Sequence, residues 1–236
     1  MTSISLRFLA LTAMVFSLAL PIKAIADNHA GVQTAESQAA ITPQEAIALL
    51  EAGNERFVAG KMENRDLMAQ VKATSTGQYP HSVVLGCVDS RVPPEVIFDQ
   101  GIGDIFSPRV AGNFVDPELL GSMEFAAAVA GSKAIVVLGH SHCGAVKGAC
   151  DNVKLGNLTS TLSYLREAVD AVPGFEGERN SKNAEFVSAV SHENVEINVA
   201  RVLSQSEVLS KLVEEGKLAV VGAMYDISTG KVAFMD

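Results

Sequence analysis

Two short runs, far apart in the chain, end in the same way. Residues 83–91 read Val-Val-Leu-Gly-Cys-Val-Asp-Ser-Arg, and residues 134–143 read Ala-Ile-Val-Val-Leu-Gly-His-Ser-His-Cys. Each is apolar and rich in β-branched residues, and each turns at a glycine into a side chain that binds soft metals. Runs apolar at every position are buried on both faces, the mark of parallel strands inside an α/β sheet. Cys87 and His140 then stand at the carboxyl ends of two such strands, where open α/β sheets build their sites.

The rest of the chain alternates around these runs. Thr42-Pro43-Gln44-Glu45 opens a helix, with Thr42 as cap, Pro43 at its first turn and Glu45 closing a capping box. Ala46, Leu49, Leu50, Phe57 and Val58 give that helix one apolar stripe. Because it precedes the first strand it has no sheet position of its own, and packing across a partner subunit is the expectation. Strands are predicted over 82–88, 104–109 and 134–139, and helices at 93–95, 116–130, 143–150, 158–172, 184–203 and 205–215. Gly216 stops the last of these. Residues 218–225 and 231–234, joined through Ser228-Thr229-Gly230, form a closing hairpin. The fold class is α/β: a single domain with a mainly parallel central sheet, an antiparallel edge strand and flanking helices.

The first residues stand apart. Arg7 gives a basic start, residues 8–20 are apolar and uncharged, Pro21 interrupts, and Ala24-Ile25-Ala26 is a small-residue cleavage pattern. This is the anatomy of a secretory signal peptide, 1–26, cut after Ala26, with an apolar core too short to cross a bilayer. Residues 27–41 are polar and small, a flexible leader, and 42–236 form the folded domain. The expected location is periplasmic or secreted, with no membrane attachment after cleavage. With 27 acidic against 18 basic residues and a formal net charge of −9, and no Lys/Arg cluster, nucleic acid and anionic membranes are excluded as partners.

Three cysteines, Cys87, Cys143 and Cys150, in an exported chain raise the possibility of a disulfide such as Cys87–Cys143. The odd count and the flanking residues favour metal instead. Cys87, His140 and Cys143 offer two thiolates and one imidazole, the Cys₂His set of a catalytic zinc site. Cys143 sits where a helix N-terminus favours the thiolate. Cys150, seven residues farther along that helix, is roughly 10 Å away by helical rise and cannot easily join. The fourth position falls to Asp89 or to exchangeable water. Asp89 follows Cys87 by two residues, and Arg91 can grip its carboxylate with a bidentate fork.

Cys87-Val88-Asp89-Ser90-Arg91 followed by His140-Ser141-His142-Cys143-Gly144 closely resembles the β-class carbonic anhydrases. The likeness includes the segment between the motifs, Gly103-Asp104-Ile105-Phe106 to Arg109-Val110-Ala111-Gly112-Asn113, and runs from the Thr42 helix to Val221-Gly222-Ala223-Met224-Tyr225-Asp226. The resemblance implies a lyase with Zn²⁺ on Cys87, His140 and Cys143 and an Asp89–Arg91 catalytic dyad. Its reaction would be reversible hydration of carbon dioxide to bicarbonate and a proton by attack of zinc-bound hydroxide. An apolar substrate calls for a pocket lined by groups such as Val92 and Phe106. Gln78 matches a glutamine that in similar enzymes reaches the site across a dimer interface, so a homodimer or homotetramer is implied.

Two departures qualify the likeness. One subgroup has a regulatory bicarbonate pocket that needs a tryptophan three residues before the first cysteine. Here Val84 stands there and the chain has no Trp, so Arg109, the matching arginine, is read as structural and the zinc site as open. Ser107-Pro108 replaces apolar residues with free amides, which points to an edge or a bend. The alternatives are hydrolysis of carbon disulfide or carbonyl sulfide on the same fold, and a non-catalytic zinc-containing sensing module. His81 is read as a surface residue before a proton relay, His192-Glu193 as a solvated helix face, and Cys150 as a small core residue.

Overall fold

A computed structural model describes residues 31–172 and 174–235. The expected signal peptide, 1–26, lies outside them. Five strands form one sheet in the order β2-β1-β3-β4-β5: β1 Ser82–Leu85, β2 Ile105–Phe106, β3 Ala134–His140, β4 Ala219–Tyr225 and β5 Val232–Phe234. The β1/β2, β1/β3 and β3/β4 pairs are parallel and β4/β5 is antiparallel. This is the predicted mainly parallel sheet with its antiparallel edge.

Strand periodicity explains why both faces are covered. Val83, Leu85, Ile135 and Val137 point into one core cluster, while Val84, Val136 and Leu138 point into another. All seven residues of β3 are buried, each large aliphatic side chain contributing roughly 1.5–3 kcal/mol by leaving water. On the first face lie α5 (Pro117–Glu124), α9 (Ala184–Gln205) and α10 (Glu207–Glu214). On the second lie α2 (Pro43–Val58) and α4 (Pro94–Ile97), through Leu50, Ile97 and Phe98. The remaining helices are α1 Ala35–Ala40, α3 Leu67–Thr74, α6 Gly144–Cys150, α7 Leu158–Ser163 and α8 Arg166–Asp170. No helix among the described residues is long and apolar enough to cross a membrane.

The structure corrects several expectations. Residues 35–40 of the expected flexible leader form α1, capped by Thr34 and Ser37. Gln38 fastens it by donating to the Pro80 and Ala130 carbonyls, both at 2.8 Å. α2 carries the expected capping box between Thr42 and Glu45, but it packs on its own sheet. Leu50 is fully buried, and Asn54 donates to the carbonyls of Ile97 and Gly230 and accepts from the Val232 amide. The expected 158–172 helix breaks into α7 and α8. The helix begun at Asp116 ends in a five-residue π-helical turn, Phe125–Val129.

The first two strands are shorter than predicted. β1 ends at Leu85 and β2 holds two residues, after which only a single bridge, Gly86 to Arg109, continues the pairing. Pro108 lacks an amide, yet its carbonyl accepts from the Gly86 amide at 3.0 Å. The edge expected at Ser107-Pro108 is therefore present, with β2 as the outermost strand.

Candidate metal and catalytic site

β1 is flanked by β2 on one side and β3 on the other. The chain leaves β1 toward one edge of the sheet and leaves β3 toward the other, so a crevice opens beyond their carboxyl ends. Cys87 lies just past β1, His140 is the last residue of β3, and Cys143 caps α6. All three are buried, at 4%, 1% and 1% exposure. Their ligand atoms lie within 4.8 Å of one another, and the two sulfurs are 4.0 Å apart. All three cysteines are free thiols, so the Cys87–Cys143 disulfide is excluded. Two sulfurs bound to a tetrahedral zinc at about 2.3 Å would stand roughly 3.8 Å apart, close to the spacing here.

A second observation shows the cluster fits a cation. Nε2 of His140 is buried and has no hydrogen-bond partner, which a native core avoids unless the atom has another use. Nδ1 lies 3.0 Å from the carbonyl of Ser141. A carbonyl only accepts, so Nδ1 carries the hydrogen and the Nε2 lone pair is free for a metal. The cysteine pair behaves as one thiol and one thiolate. The hydrogen bond from the Cys143 thiol, working against burial, together with the Gly112 amide, holds Cys87 well below the ordinary thiol range. The same bond to Cys87, with burial, holds Cys143 in the protonated form. A divalent ion would displace that remaining proton.

The expected dyad is formed. Arg91 donates to both oxygens of Asp89, from Nε at 2.9 Å and from a terminal nitrogen at 2.7 Å, and its backbone amide adds a third bond at 3.0 Å. These bonds from Arg91, opposed by partial burial, keep the Asp89 carboxyl well below the usual carboxylate range. Its Oδ2 lies 4.0 Å from His140 Nε2. Held by arginine, Asp89 borders the cluster as an ionised acceptor.

Sequence reasoning missed what fixes this loop. Arg109 donates from Nε to the Cys87 carbonyl at 2.8 Å and from a terminal nitrogen to the Asp89 carbonyl at 2.6 Å. One side chain thus sets the backbone that carries a ligand and half of the dyad. The Gly112 amide donates to Cys87 Sγ at 3.3 Å. These contacts give the structural role expected of Arg109 a specific object.

The expected substrate wall fares differently. Val92 is fully buried among the Leu50, Ile97 and Phe98 cluster, so its side chain presents no surface to a ligand. Phe106 is half-buried and opens with Phe125 and Pro108 onto a separate cavity of about 680 Å³, whose walls include none of the three ligands. Gln78 is exposed in the segment before β1. His81, expected at the surface, is 1% exposed and bonded to Ser82 Oγ and Gln100 Oε1 at 2.8 and 2.9 Å. That makes it a core residue. His142 is exposed, and its φ of +56° turns it away from the extended path of β3.

Comparison with known proteins adds independent support. The sequence profile of the family described as carbonic anhydrase matches residues 82–232. Carbonic anhydrase 2 of Mycobacterium tuberculosis is 40% identical over 199 residues, covering 82% of this chain and 93% of that protein. The β-carbonic anhydrase CafA of Aspergillus fumigatus superposes with a TM-score of 0.65 at 29% identity, over 82% of this chain and 91% of that one. One of two tetrameric β-carbonic anhydrases of Sordaria macrospora superposes with a TM-score of 0.60 at 27% identity, over 71% and 90%. The profile spans both ligand motifs and the strands that carry them, and the superpositions share the sheet that brings those motifs together. This chain belongs to the β-class carbonic anhydrase family.

Proposed function

We propose that this chain catalyses the reversible hydration of carbon dioxide, with zinc held by Cys87, His140 and Cys143 and with Asp89 and Arg91 as the catalytic pair. The observation that carries the reading is the buried Cys-His-Cys cluster with an ionised carboxylate at its border, 4.0 Å from the free imidazole nitrogen. When bound, zinc acts as a Lewis acid that makes water nucleophilic near neutral pH.

The protein supplies orientation. Asp89, kept ionised by Arg91, accepts a hydrogen bond from the attacking water, so that an oxygen lone pair faces the substrate carbon. The Ser141 carbonyl fixes the ring of His140, and Arg109 fixes the loop beneath Asp89. As the new carbon–oxygen bond forms, one carbon–oxygen π bond of carbon dioxide opens, bicarbonate departs and one proton passes to buffer. Arg91 keeps both Asp89 oxygens engaged, so the carboxylate would stay off a bound zinc and leave it open to water.

Assembly and location complete the proposal. Gln78 is exposed and Phe106 opens onto a cavity apart from its own Cys-His-Cys cluster, so as pocket residues both serve a neighbouring copy. The tetrameric state described for the Sordaria enzymes supports a homodimer or homotetramer. The apolar run at 8–20 and the Ala24-Ile25-Ala26 pattern support export, with Asp27 as the first residue of the periplasmic or secreted form. Stopped-flow carbon dioxide hydration by zinc-loaded, reduced protein near pH 8 tests the function. Turnover far above buffer that disappears on zinc removal is expected. Full zinc occupancy without turnover would overturn the proposal, and activity on carbon disulfide or carbonyl sulfide would then identify the alternative hydrolase.

A further inference from the structure

The longest helix among the described residues, α9, presents two asparagines to the interior. Asn194 and Asn198 are 1% and 0% exposed and lie on the stripe formed by Val187, Val190, Val195 and Val202. Asparagine is a poor helix former, and burying a carboxamide costs free energy unless every polar atom finds a partner. Here the bonds converge on one loop. Asn194 Nδ2 donates to the Gly112 carbonyl at 2.9 Å, and Asn198 Oδ1 accepts from the Val115 amide at 2.7 Å. Asn198 Nδ2 in turn donates to the Asn194 carbonyl and Oδ1 at 2.7 and 3.0 Å, which fixes the direction of the Asn194 carboxamide.

Gly112 is the residue so held. Its φ is +91°, and a Cβ there would meet Leu165 Cδ1 at 2.7 Å. It is pinned between that leucine and Asn194 while its own amide points at Cys87 Sγ. A hydrogen bond to a thiolate draws charge from the sulfur, and partners that orient such donors tune the metal the sulfur binds.

Resting on the zinc site proposed above, we infer that Asn194, braced by Asn198, is a positioning residue that aims the Gly112 amide at the Cys87 sulfur and thereby sets how strongly that sulfur donates to the metal. Asn194 touches neither metal nor substrate; it acts through one residue of the neighbouring loop, Gly112, whose carbonyl it holds and whose amide, in the adjoining peptide unit, faces the sulfur.

The test uses full-length mature protein substituted with cobalt(II), whose thiolate-to-metal charge-transfer band reports the charge on sulfur. Asn194→Leu, nearly equal in volume, removes the donor to Gly112. The expected result is a band at longer wavelength than in the parent protein, because the sulfur regains the charge that the amide had drawn away. Asn198→Leu, which removes the brace and the acceptor for the Val115 amide but leaves the Asn194 donor in place, gives a smaller shift in the same direction and provides the reading if Asn194→Leu does not fold. An unchanged band in a folded variant, whatever its melting temperature, would make these asparagines structural and overturn the inference. Absence of any thiolate band in the parent protein would instead sink the zinc-site reading beneath it.

Discussion

Both carboxylate oxygens of Asp89 are bonded to Arg91, through two guanidinium contacts at 2.9 and 2.7 Å and a backbone amide at 3.0 Å. The arrangement holds a charge beside a buried metal-ligand cluster without committing it to the metal. Asp89→Asn keeps the size of the side chain and removes its charge. It should retain one zinc per chain and lose on the order of 10²-fold or more in kcat, the usual cost of removing a group that orients or stabilises the reacting atoms. Metal analysis with stopped-flow kinetics checks this, and an active Asp89→Asn protein would remove Asp89 from the mechanism.

Arg109 should be irreplaceable by lysine. Its fork reaches two carbonyls at once, those of Cys87 and Asp89, whereas an ammonium on a flexible stem lacks the planar geometry to hold both. Arg109→Lys is expected to weaken zinc binding about tenfold, the lower end of what support around metal ligands is worth. Chelator competition measures it, and parent-like affinity would show that one carbonyl contact is enough.

The crossing of α2 with the end of α4 depends on a missing side chain. A Cβ on Gly53 would lie 1.8 Å from the Phe98 carbonyl oxygen and 2.7 Å from its carbon, both backbone atoms that cannot rotate aside. Gly53→Ala gains roughly 1 kcal/mol in helix propensity and loses more than that by forcing the helices apart, since overpacking costs about 1–3 kcal/mol and sometimes more. The melting temperature should fall despite the better helix former. A rise would mean that the two helices separate easily.

His81 gives stability a pH dependence. Burial pushes its imidazole below the ordinary value, only partly offset by the bond to Gln100 and by the Asp104 charge. The unfolded chain therefore takes up the proton first. The contribution of His81 is complete above about pH 6.5 and is lost as pH falls below it, through the interval between the unfolded and folded values. Neighbouring Asp104 is raised, chiefly by burial, so its unfavourable contribution grows as pH rises through about 4, a separate window. His81→Leu should be less stable than the parent at pH 8, with a flatter stability curve from pH 7 to 5 by chemical unfolding. Parallel curves would show that His81 is not the group responsible.

The sequence displays most clearly what depends on short-range pattern. The β-branched runs before Gly86 and Gly139 mark two buried parallel strands, and the ligands at their ends mark the site. Thr42, Asp116 and Gly216 mark helix ends by capping chemistry that needs no tertiary contact. What stayed hidden is set by packing between distant segments. α3 has Leu67, Met68 and Val71 exposed, so it shows no inward stripe to read. His81, a lone histidine before a strand, gives no local sign that Ser82 and Gln100 enclose it. Val92 follows the dyad directly, and only the three-dimensional core reveals that it faces inward. Asn194 and Asn198 did leave a trace: two asparagines, four apart, on a helical stripe that apart from them and Ser191 is apolar.

The most direct test is a crystal structure of the zinc-loaded mature protein at neutral pH, with anomalous data collected at the zinc edge. The account predicts one peak bonded to Cys87 Sγ, His140 Nε2 and Cys143 Sγ, at about 2.3 Å from sulfur and 2.0–2.1 Å from nitrogen, with Asp89 still paired to Arg91. A peak coordinated by Asp89, with Arg91 released, would contradict it.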